Sequence, residues 1–401
     1  MTAVPVQLLE VRVGPVAHGG HCVARHEGRV VFVRHTVPGE LVRVRVTEDN
    51  GGSFCRGDAV EILEAAPERV EAPCPYAGPR RCGGCDFQHV GAVAQRALKA
   101  AVVAEQLARL GGLPDVEVAV EELPGGLLGW RTRMQFAVDR SGRPGLRRHR
   151  AHAVVPVGDC LIAHPALQVE SVLGQRWRGA NGVEVSGSDA PPTVVRRGRG
   201  SPTVVSGPRI RREQAAGREW QVSAGAFWQV HPAAADTLVA CVLDFLAPRP
   251  GERCLDLYAG VGLYGGVLAD AVGPDGAVTC VESDRVAAAD ARVNLAAQPW
   301  ATSRRAAVDD ALFGQLPAYD LAVLDPPRAG AGRAVCTALA AGAARAIAYV
   351  ACDPAALARD LRTFGDAGWR LARLRAFDLF PMTAHVECVA LLVPPEAGAE
   401  Q

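Results

Sequence analysis

Residues 254–266 read CLDLYAGVGLYGG. An apolar run ends at Tyr258, Gly260 and Gly262 make a tight turn, and a helix-forming stretch takes over. Glycine lets the backbone approach a ligand where a side chain would block it, and in an open α/β sheet that approach happens at the carboxyl end of a strand. Outward from this turn, HPAAADTLVACVLDFLA precedes it, and AVTCVES, SRRAAVDDA, DLAVLDPPRAG and RAIAYVACDP follow, with helical patterns between the apolar runs. Strands alternating with helices predict an α/β domain whose parallel sheet is wound on both faces.

Each strand end offers a candidate side chain. Glu282 closes AVTCVES, about twenty residues past the glycine turn, where an acid can accept hydrogen bonds from ribose hydroxyls. A glycine loop with such an acid also suits NAD. Three features favour S-adenosylmethionine: the turn is G-x-G without the full G-x-G-x-x-G, Asp309 and Asp310 close the third strand, and Asp325-Pro326-Pro327-Arg328 closes the fourth. Two prolines make that last loop rigid. Arg328 stands where amine-methylating enzymes place an aromatic, which disfavours an amine target and suits a carbonyl-bearing or anionic one.

On the next strand AYVACDPAAL presents Cys352, beside the expected methyl donor and at a helix start whose dipole favours thiolate. Such a thiol is a candidate nucleophile, although a lone cysteine is more often a buried structural group. The last element, FDLFPMTAHVECVALL, supplies Thr383, His385 and Glu387, which share one face if the segment is an extended strand; Glu387 is a candidate base.

The first part of the chain has another texture. Residues 1–65 alternate apolar and polar positions in short runs broken by Gly, Pro and Asn-Gly, the pattern of a small β-barrel. CPYAGPRRCGGCDFQH follows, with Cys74, Cys82 and Cys85 close together, and Cys160 is the best fourth ligand; four thiolates suit either an iron–sulfur centre or tetrahedral zinc. GAVAQRALKAAVVAEQLARLGG predicts a helix over 91–112 that packs on the catalytic domain. Residues 181–218, rich in Gly, Pro, Ser and Arg, read as loops or a partly disordered insertion.

Net charge is formally zero over 401 residues, so bulk charge announces no nucleic-acid partner. Local charge differs: Arg131, Arg133, Arg140, Arg143, Arg147, Arg148 and Arg150 form one cluster and Arg196, Arg197, Arg199, Arg209, Arg211 and Arg212 a second, either phosphate-binding or solvated surface. No stretch approaches the roughly 20 apolar residues of a membrane span, and the opening residues lack a signal-peptide pattern, so the expected address is cytoplasmic. Twelve cysteines in such a chain are not a disulfide framework.

These motifs add up to a resemblance. Gly20, Ala24, Arg25, Gly28, Val30, Phe32, Val33, Pro38, Gly39 and Glu40 match the pattern of the TRAM domain, a small OB-like RNA-binding barrel. Phe227-x-Gln229-Val230, the LDLYAGVG turn, Glu282, Ala291 to Asn294, DPPRAG, Tyr349-x-x-Cys352-x-Pro354 and F-P-x-T-x-H-x-E ending at Glu387 come in the order seen in RNA uracil-C5 methyltransferases. The chain resembles that family, in the branch with an iron–sulfur-bearing central domain. The resemblance implies a Rossmann-like class I methyltransferase domain at 223–401, a TRAM-like barrel at 1–65 and a central, mostly β, cluster- and RNA-binding domain at 66–222. It implies that Gln229, Tyr258, Gly260, Glu282, Asp310 and Asp325 contact S-adenosylmethionine, that Cys352 is the nucleophile and Glu387 the general base, and that Cys74, Cys82, Cys85 and Cys160 hold a [4Fe–4S] cluster rather than zinc. The implied substrate is RNA, 23S ribosomal RNA before transfer RNA, with neither a membrane nor an obligate protein partner. Rival readings are cytosine C5 methylation, which usually places Pro before the cysteine, and a non-catalytic RNA-binding protein. The chain departs from the family pattern with His231 and Asp353 where asparagine is usual, Leu263 where asparagine is frequent, and seven residues rather than five between Cys74 and Cys82. An acid at 353 should raise the pKa of the neighbouring thiol.

Overall fold

The computed structural model describes residues 8–342 and 344–395. The amino-terminal strands are β1 (Leu8–Arg12), β2 (Val16–Ala17), β3 (His21–His26), β4 (Arg29–Arg34), β5 (Leu41–Asp49) and β6 (Phe54–Glu64), paired in the order β1-β5-β6-β4-β3-β2. The chain after β1 bonds to β3 through Gly14 N to Val23 O (2.7 Å) and Val23 N to Pro15 O (2.9 Å), which brings the sheet's ends together into a barrel. Alternation dictates its inside: Val11, Ala24, Val31, Val33, Val42 and Val44 fill the interior while the intervening charged residues face out.

A long irregular segment leads to α1 (Ala92–Gln106), which ends in a π-helical turn and Gly112 at φ 70°. This helix buries Lys99, the chain's sole lysine, whose Nζ donates to Asp378 Oδ1 (2.5 Å) and to Phe380 O (3.0 Å). Gln95 on the same face donates to Val90 O (2.8 Å) and accepts from Met382 N (2.9 Å). The helix thereby fastens the loop that leads to Glu387.

The middle of the chain holds β7 (Val120–Glu122), β8 (Arg133–Val138), β9 (Pro144–Arg147), β10 (Val154–Val155), α2 (Val169–Leu173), β11 (Ala180–Ser186), β12 (Thr193–Gly198), β13 (Thr203–Ser206), β14 (Ile210–Ala215) and β15 (Arg218–Ser223). The expectation of loops over 181–218 is therefore wrong: it forms three of the six strands of an antiparallel sheet ordered β10-β9-β8-β11-β12-β13 and half of the β14-β15 hairpin. The cause is ion pairing. Glu184, fully buried, takes Arg133 (3.0 Å) and Arg197 (2.8 Å), and Arg211 meets Glu213 (2.7 Å), so arginines that look like loop or phosphate-binding residues satisfy one another's sheet.

The carboxyl-terminal half contributes α3 (Ala234–Leu246), β16 (Arg253–Leu257), α4 (Leu263–Val272), β17 (Ala277–Glu282), α5 (Arg285–Asn294), β18 (Ala301–Arg305), α6 (Asp310–Phe313), β19 (Leu321–Leu324), α7 (Arg333–Ala340), β20 (Ala346–Ala351), α8 (Pro354–Asp366), β21 (Arg370–Asp378) and β22 (Glu387–Val393). The sheet order is β18-β17-β16-β19-β20-β22-β21-β7. Its first five strands are parallel, as expected, while β22 runs antiparallel between β20 and β21. Apolar cores cover both faces, one around α3 and α4, the other around α7, α8 and the end of α1. The order reverses beside β16, so ligands belong at the carboxyl ends of β16 and its neighbours.

Candidate active site

At the end of β16 the backbone turns through three left-handed residues, Tyr258 (φ 62°), Gly260 (φ 55°) and Gly262 (φ 88°), before α4 begins. A tyrosine in that region is strained, which marks the turn as functional. A side chain at Gly260 would meet nothing within 4 Å, so this backbone faces open space, whereas one at Gly262 would press on Ala291. Glu282 Oε2 accepts from Gly260 N (2.9 Å) and Oε1 from Asp284 N (2.6 Å), which aims the carboxylate across the turn. Asn294, from the Ala291–Asn294 motif, braces the same turn by donating to Val261 O (2.9 Å). Beneath it Asp256 is fully buried and accepts from Gly265 N (2.7 Å); burial pushes its carboxyl up to about 8. These residues fit the adenosyl part of S-adenosylmethionine: open backbone, and an acid fixed at the next strand end. Asp310 is exposed in the first turn of α6, which Asp309 caps, and Gln229 is half-buried between β15 and α3.

Three further strand ends converge beside this turn. Asp325 follows β19, Cys352 follows β20, and Glu387 opens β22. Their charges act on one another: burial, then the Glu387 and Asp325 carboxyls, push the Cys352 thiol up to about 12, with Arg328 pulling it down and Asp353 adding to the rise. Burial raises Asp325 to about 7, and burial followed by Asp325 drives buried Glu387 far above the usual carboxylate range, so this pair retains a proton. The expected thiolate-favouring helix dipole is outweighed by burial and the two carboxyls, and α8 is capped by a further acid, Asp353, whose Oδ1 accepts from Ala356 N (2.8 Å). A correction concerns Thr383 and His385. They lie in the turn before β22 rather than on it; Thr383 Oγ1 donates to Phe380 O (2.8 Å), and His385 Nε2 lies 3.3 Å from Arg328 Nη2.

Some contributors were not legible in the motifs. Asp360 Oδ2 accepts from Tyr349 Oη (2.5 Å), Ala331 N (2.8 Å) and Gly332 N (3.2 Å), holding the loop that carries Arg328. His18 Nε2 lies 3.1 Å from Asp353 Oδ2. A helical acid facing a buried tyrosine eleven residues before it leaves no periodic signal, and a pair 335 residues apart leaves none at all.

Of the twelve cysteines, seven are buried in cores, and the five singled out by spacing, Cys74, Cys82, Cys85, Cys160 and Cys352, all remain partly accessible. Cys74, Cys82, Cys85 and Cys160 line one cavity of about 610 Å³ together with Arg131 and Phe227. Among the described residues, no three His, Cys, Asp or Glu side chains are arranged to hold a single metal ion. Burial raises the thiols of Cys82, Cys85 (to about 12) and Cys160 (to about 11), as expected of protonated sulfurs held near one another.

Residues 4–60 match the TRAM domain, and residues 314–394 match the family described as tRNA (Uracil-5-)-methyltransferase. A Streptomyces coelicolor protein named as an uncharacterized RNA methyltransferase is 50% identical over 436 residues, 98% of this chain and 95% of the relative. The 23S rRNA (uracil(1939)-C(5))-methyltransferase of Chromohalobacter salexigens is 33% identical over 432 residues, covering 94% of this chain and 87% of that one. The chain belongs to the RNA uracil-5-methyltransferase family. Its fold agrees with that membership: the crystal structure of Pyrococcus abyssi tRNA (uracil-54, C5)-methyltransferase in complex with S-adenosyl-L-homocysteine superposes with a TM-score of 0.71 at 22% identity, covering 96% of this chain and 99% of that one. A Rossmann-like methyltransferase domain joined to an amino-terminal TRAM barrel is thus the architecture of an RNA (uracil-5-)-methyltransferase. Among the described residues no helix is long and apolar enough to cross a membrane.

Proposed function

We propose that this enzyme transfers a methyl group from S-adenosylmethionine to C5 of a uridine in 23S ribosomal RNA through a covalent adduct. The observation that carries the reading is the convergence of Cys352, Glu387, Asp325 and Arg328 beside the open glycine turn. Uracil C5 is a weak nucleophile. Cys352 gives up its thiol proton to solvent, Sγ adds to C6, the ring's electrons pass to O4 as an enolate, and C5 then attacks the electrophilic methyl that the sulfonium supplies. With the proton of the acid pair shifted onto Asp325, the Glu387 carboxylate takes the C5 proton, the C6–S bond breaks, and the expelled thiolate regains a proton from solvent. Arg328, held by His385, is placed to meet the enolate or a phosphate. Gln229, Tyr258, Gly260, Glu282, Asp310 and Asp325 are assigned to the methyl donor, Glu282 to its ribose.

The same reading divides the chain at 1–65, 66–222 and 223–401 and gives Cys74, Cys82, Cys85 and Cys160 to a [4Fe–4S] cluster. Its support is the thiols' placement around a cavity without closing on a point. Tetrahedral zinc needs four sulfurs about 2.3 Å from one ion, whereas a cubane takes each thiolate on its own corner and keeps them apart. Ribosomal RNA is favoured by the named relative from Chromohalobacter salexigens; transfer RNA is the second reading, favoured by the substrate for which the Pyrococcus abyssi enzyme is named. An RNA-modifying activity puts its work in the cytoplasm.

Cys352→Ala is expected to abolish methyl transfer to 23S RNA while S-adenosylmethionine still binds. Glu387→Gln is expected to accumulate a protein–RNA adduct that migrates slowly in a denaturing gel. Turnover by the alanine variant would refute the nucleophile, and full activity of the glutamine variant without adduct would remove the base.

A further inference from the structure

The turn after β2 carries His18, Gly19 and Gly20 out of the barrel and seats them against both catalytic loops. On one side His18 Nε2 lies 3.1 Å from Asp353 Oδ2, while the other oxygen of Asp353 caps α8. On the other side a Cβ at Gly20 would lie 2.8 Å from Ala384 Cβ and 3.3 Å from Asp86 Cβ, so the backbone is wedged beneath the turn that leads to Glu387. Ala384 N donates to Asp86 Oδ2 (3.1 Å), and Asp86 N and Phe87 N both donate to Met382 O (3.0 and 2.9 Å), so that turn is braced from the same direction. Barrel and catalytic loops therefore meet in a built contact, with the barrel's imidazole next to the nucleophile's neighbour.

This contact meets an electrostatic problem. Cys352 faces Glu387, Asp325 and Asp353, all of which oppose a thiolate, against Arg328 alone in its favour. Two of those acids belong to the chemistry and keep a proton between them; Asp353 does neither, since its own pKa lies below the ordinary value. Its negative charge thus stands permanently beside the sulfur unless a cation covers it. We propose that His18 is that cover: a positioning residue, delivered by the barrel, whose imidazolium neutralises Asp353 and so lets Cys352 ionise. The inference rests on Cys352 being the nucleophile. The hydrogen bond and charge of Asp353, with a smaller part from Glu105, favour the charged imidazole, burial and Arg359 oppose it, and the balance raises His18 above its ordinary value. Docking of the barrel accordingly speeds the catalytic step.

The test uses the full-length enzyme, S-adenosylmethionine and 23S ribosomal RNA transcribed with 5-fluorouridine, whose C5 fluorine cannot leave as a proton does and therefore traps the adduct. Adduct formation is timed as a function of pH for the wild type, His18→Ala, Asp353→Asn and the double variant. Asparagine keeps the helix cap and removes the charge. His18→Ala is expected to slow trapping about threefold near neutral pH by moving its dependence about half a unit alkaline, the size of a half-exposed pair's effect. Asp353→Asn is expected to trap at least as fast as wild type, and the double variant to regain that rate. An unchanged pH profile for His18→Ala, or a double variant as slow as His18→Ala, overturns the inference while leaving the nucleophile intact. Wild type that traps nothing overturns the nucleophile and the inference together.

Discussion

Asp256 spends its position on the glycine turn. One carboxylate oxygen holds Gly265 N, the other has no hydrogen-bond partner among the described residues, and burial pushes the group up to about 8. A carboxyl that ionises near 4 when unfolded and near 8 when folded makes the folded state the better proton binder throughout that interval. Its contribution is therefore complete below about pH 4 and is lost progressively as pH rises to about 8. Asp256→Asn keeps an acceptor for Gly265 and removes the titration, so its thermal midpoint relative to wild type is expected to rise by a few degrees between pH 5 and pH 8.5. Scanning fluorimetry at the two pH values checks it; an offset independent of pH would show that Asp256 does not titrate in this range. At this scale much was readable: Glu282, Asp325 and Cys352 each end an apolar run, and strand ends are where chemistry collects. His18 and Asp360 were not, because each acts across a fold contact that no local spacing encodes.

Among elements, the segment from Ala65 to Gly91 is exceptional. Between β6 and α1 it forms neither helix nor strand, only a bridge between Arg69 and Val90, and a long stretch of irregular backbone inside a folded unit needs something else to order it. Val70, Asp86, Phe87 and Gly91 tie its two ends down through backbone bonds, but around the cysteines few serve: Ala77 N to Cys74 O, Cys82 N to Tyr76 O and Gly83 N to Arg147 O, all 3.0 Å, and Arg81 N to Gly78 O (3.2 Å). Three of the four proposed cluster ligands lie here and the fourth, Cys160, lies across the cavity. Bound iron would cross-link the segment to the central sheet, and because such sites are not formed in the unfolded chain, its binding energy would enter folding. Anaerobically purified protein is expected to contain iron and sulfide, and chelating the iron is expected to make residues 65–91 the first site of proteolysis. Protein with one zinc and no sulfide, or a cleavage pattern indifferent to chelation, would sink that reading. The sequence pattern marked the four cysteines as candidate ligands through their spacing and context, and made the strands of the parallel sheet visible through their apolar runs. It hid β11 to β14, because buried Glu184 and its arginines give a sheet the composition of a loop.

For the whole molecule, zero net charge conceals where positive charge gathers. The barrel and the loop after β9 enclose a cleft of about 560 Å³ lined by Arg34, Arg45, Arg56, Arg80, Arg81, Arg148 and Arg150, with only Glu48 and Asp58 against them. Arg34 is paired with Asp86 and Arg56 with Glu48, from which Arg150 stands 4.0 Å away, so the arginines of the loop, Arg148 with no acid beside it among the described residues and Arg150 at the long end of a shared pair, can still give their charge to an outside anion. Exposed Phe54, with the Arg56 guanidinium 4.8 Å from its ring centre, adds a stacking surface at the barrel's edge. A substrate whose uridine must be unstacked, at a cost of a few kcal/mol, requires backbone contacts that offset it. If this cleft grips phosphates, each contact releases counterions, and affinity falls with salt in proportion to their number. Replacing both Arg148 and Arg150 with alanine is then expected to weaken binding of 23S RNA and to flatten the slope of log affinity against log salt by about one to two. S-adenosylmethionine affinity should not change, since the glycine turn lies in another part of the chain. Filter binding at several salt concentrations measures the slope; an unaltered slope would move the RNA to a different face of the enzyme.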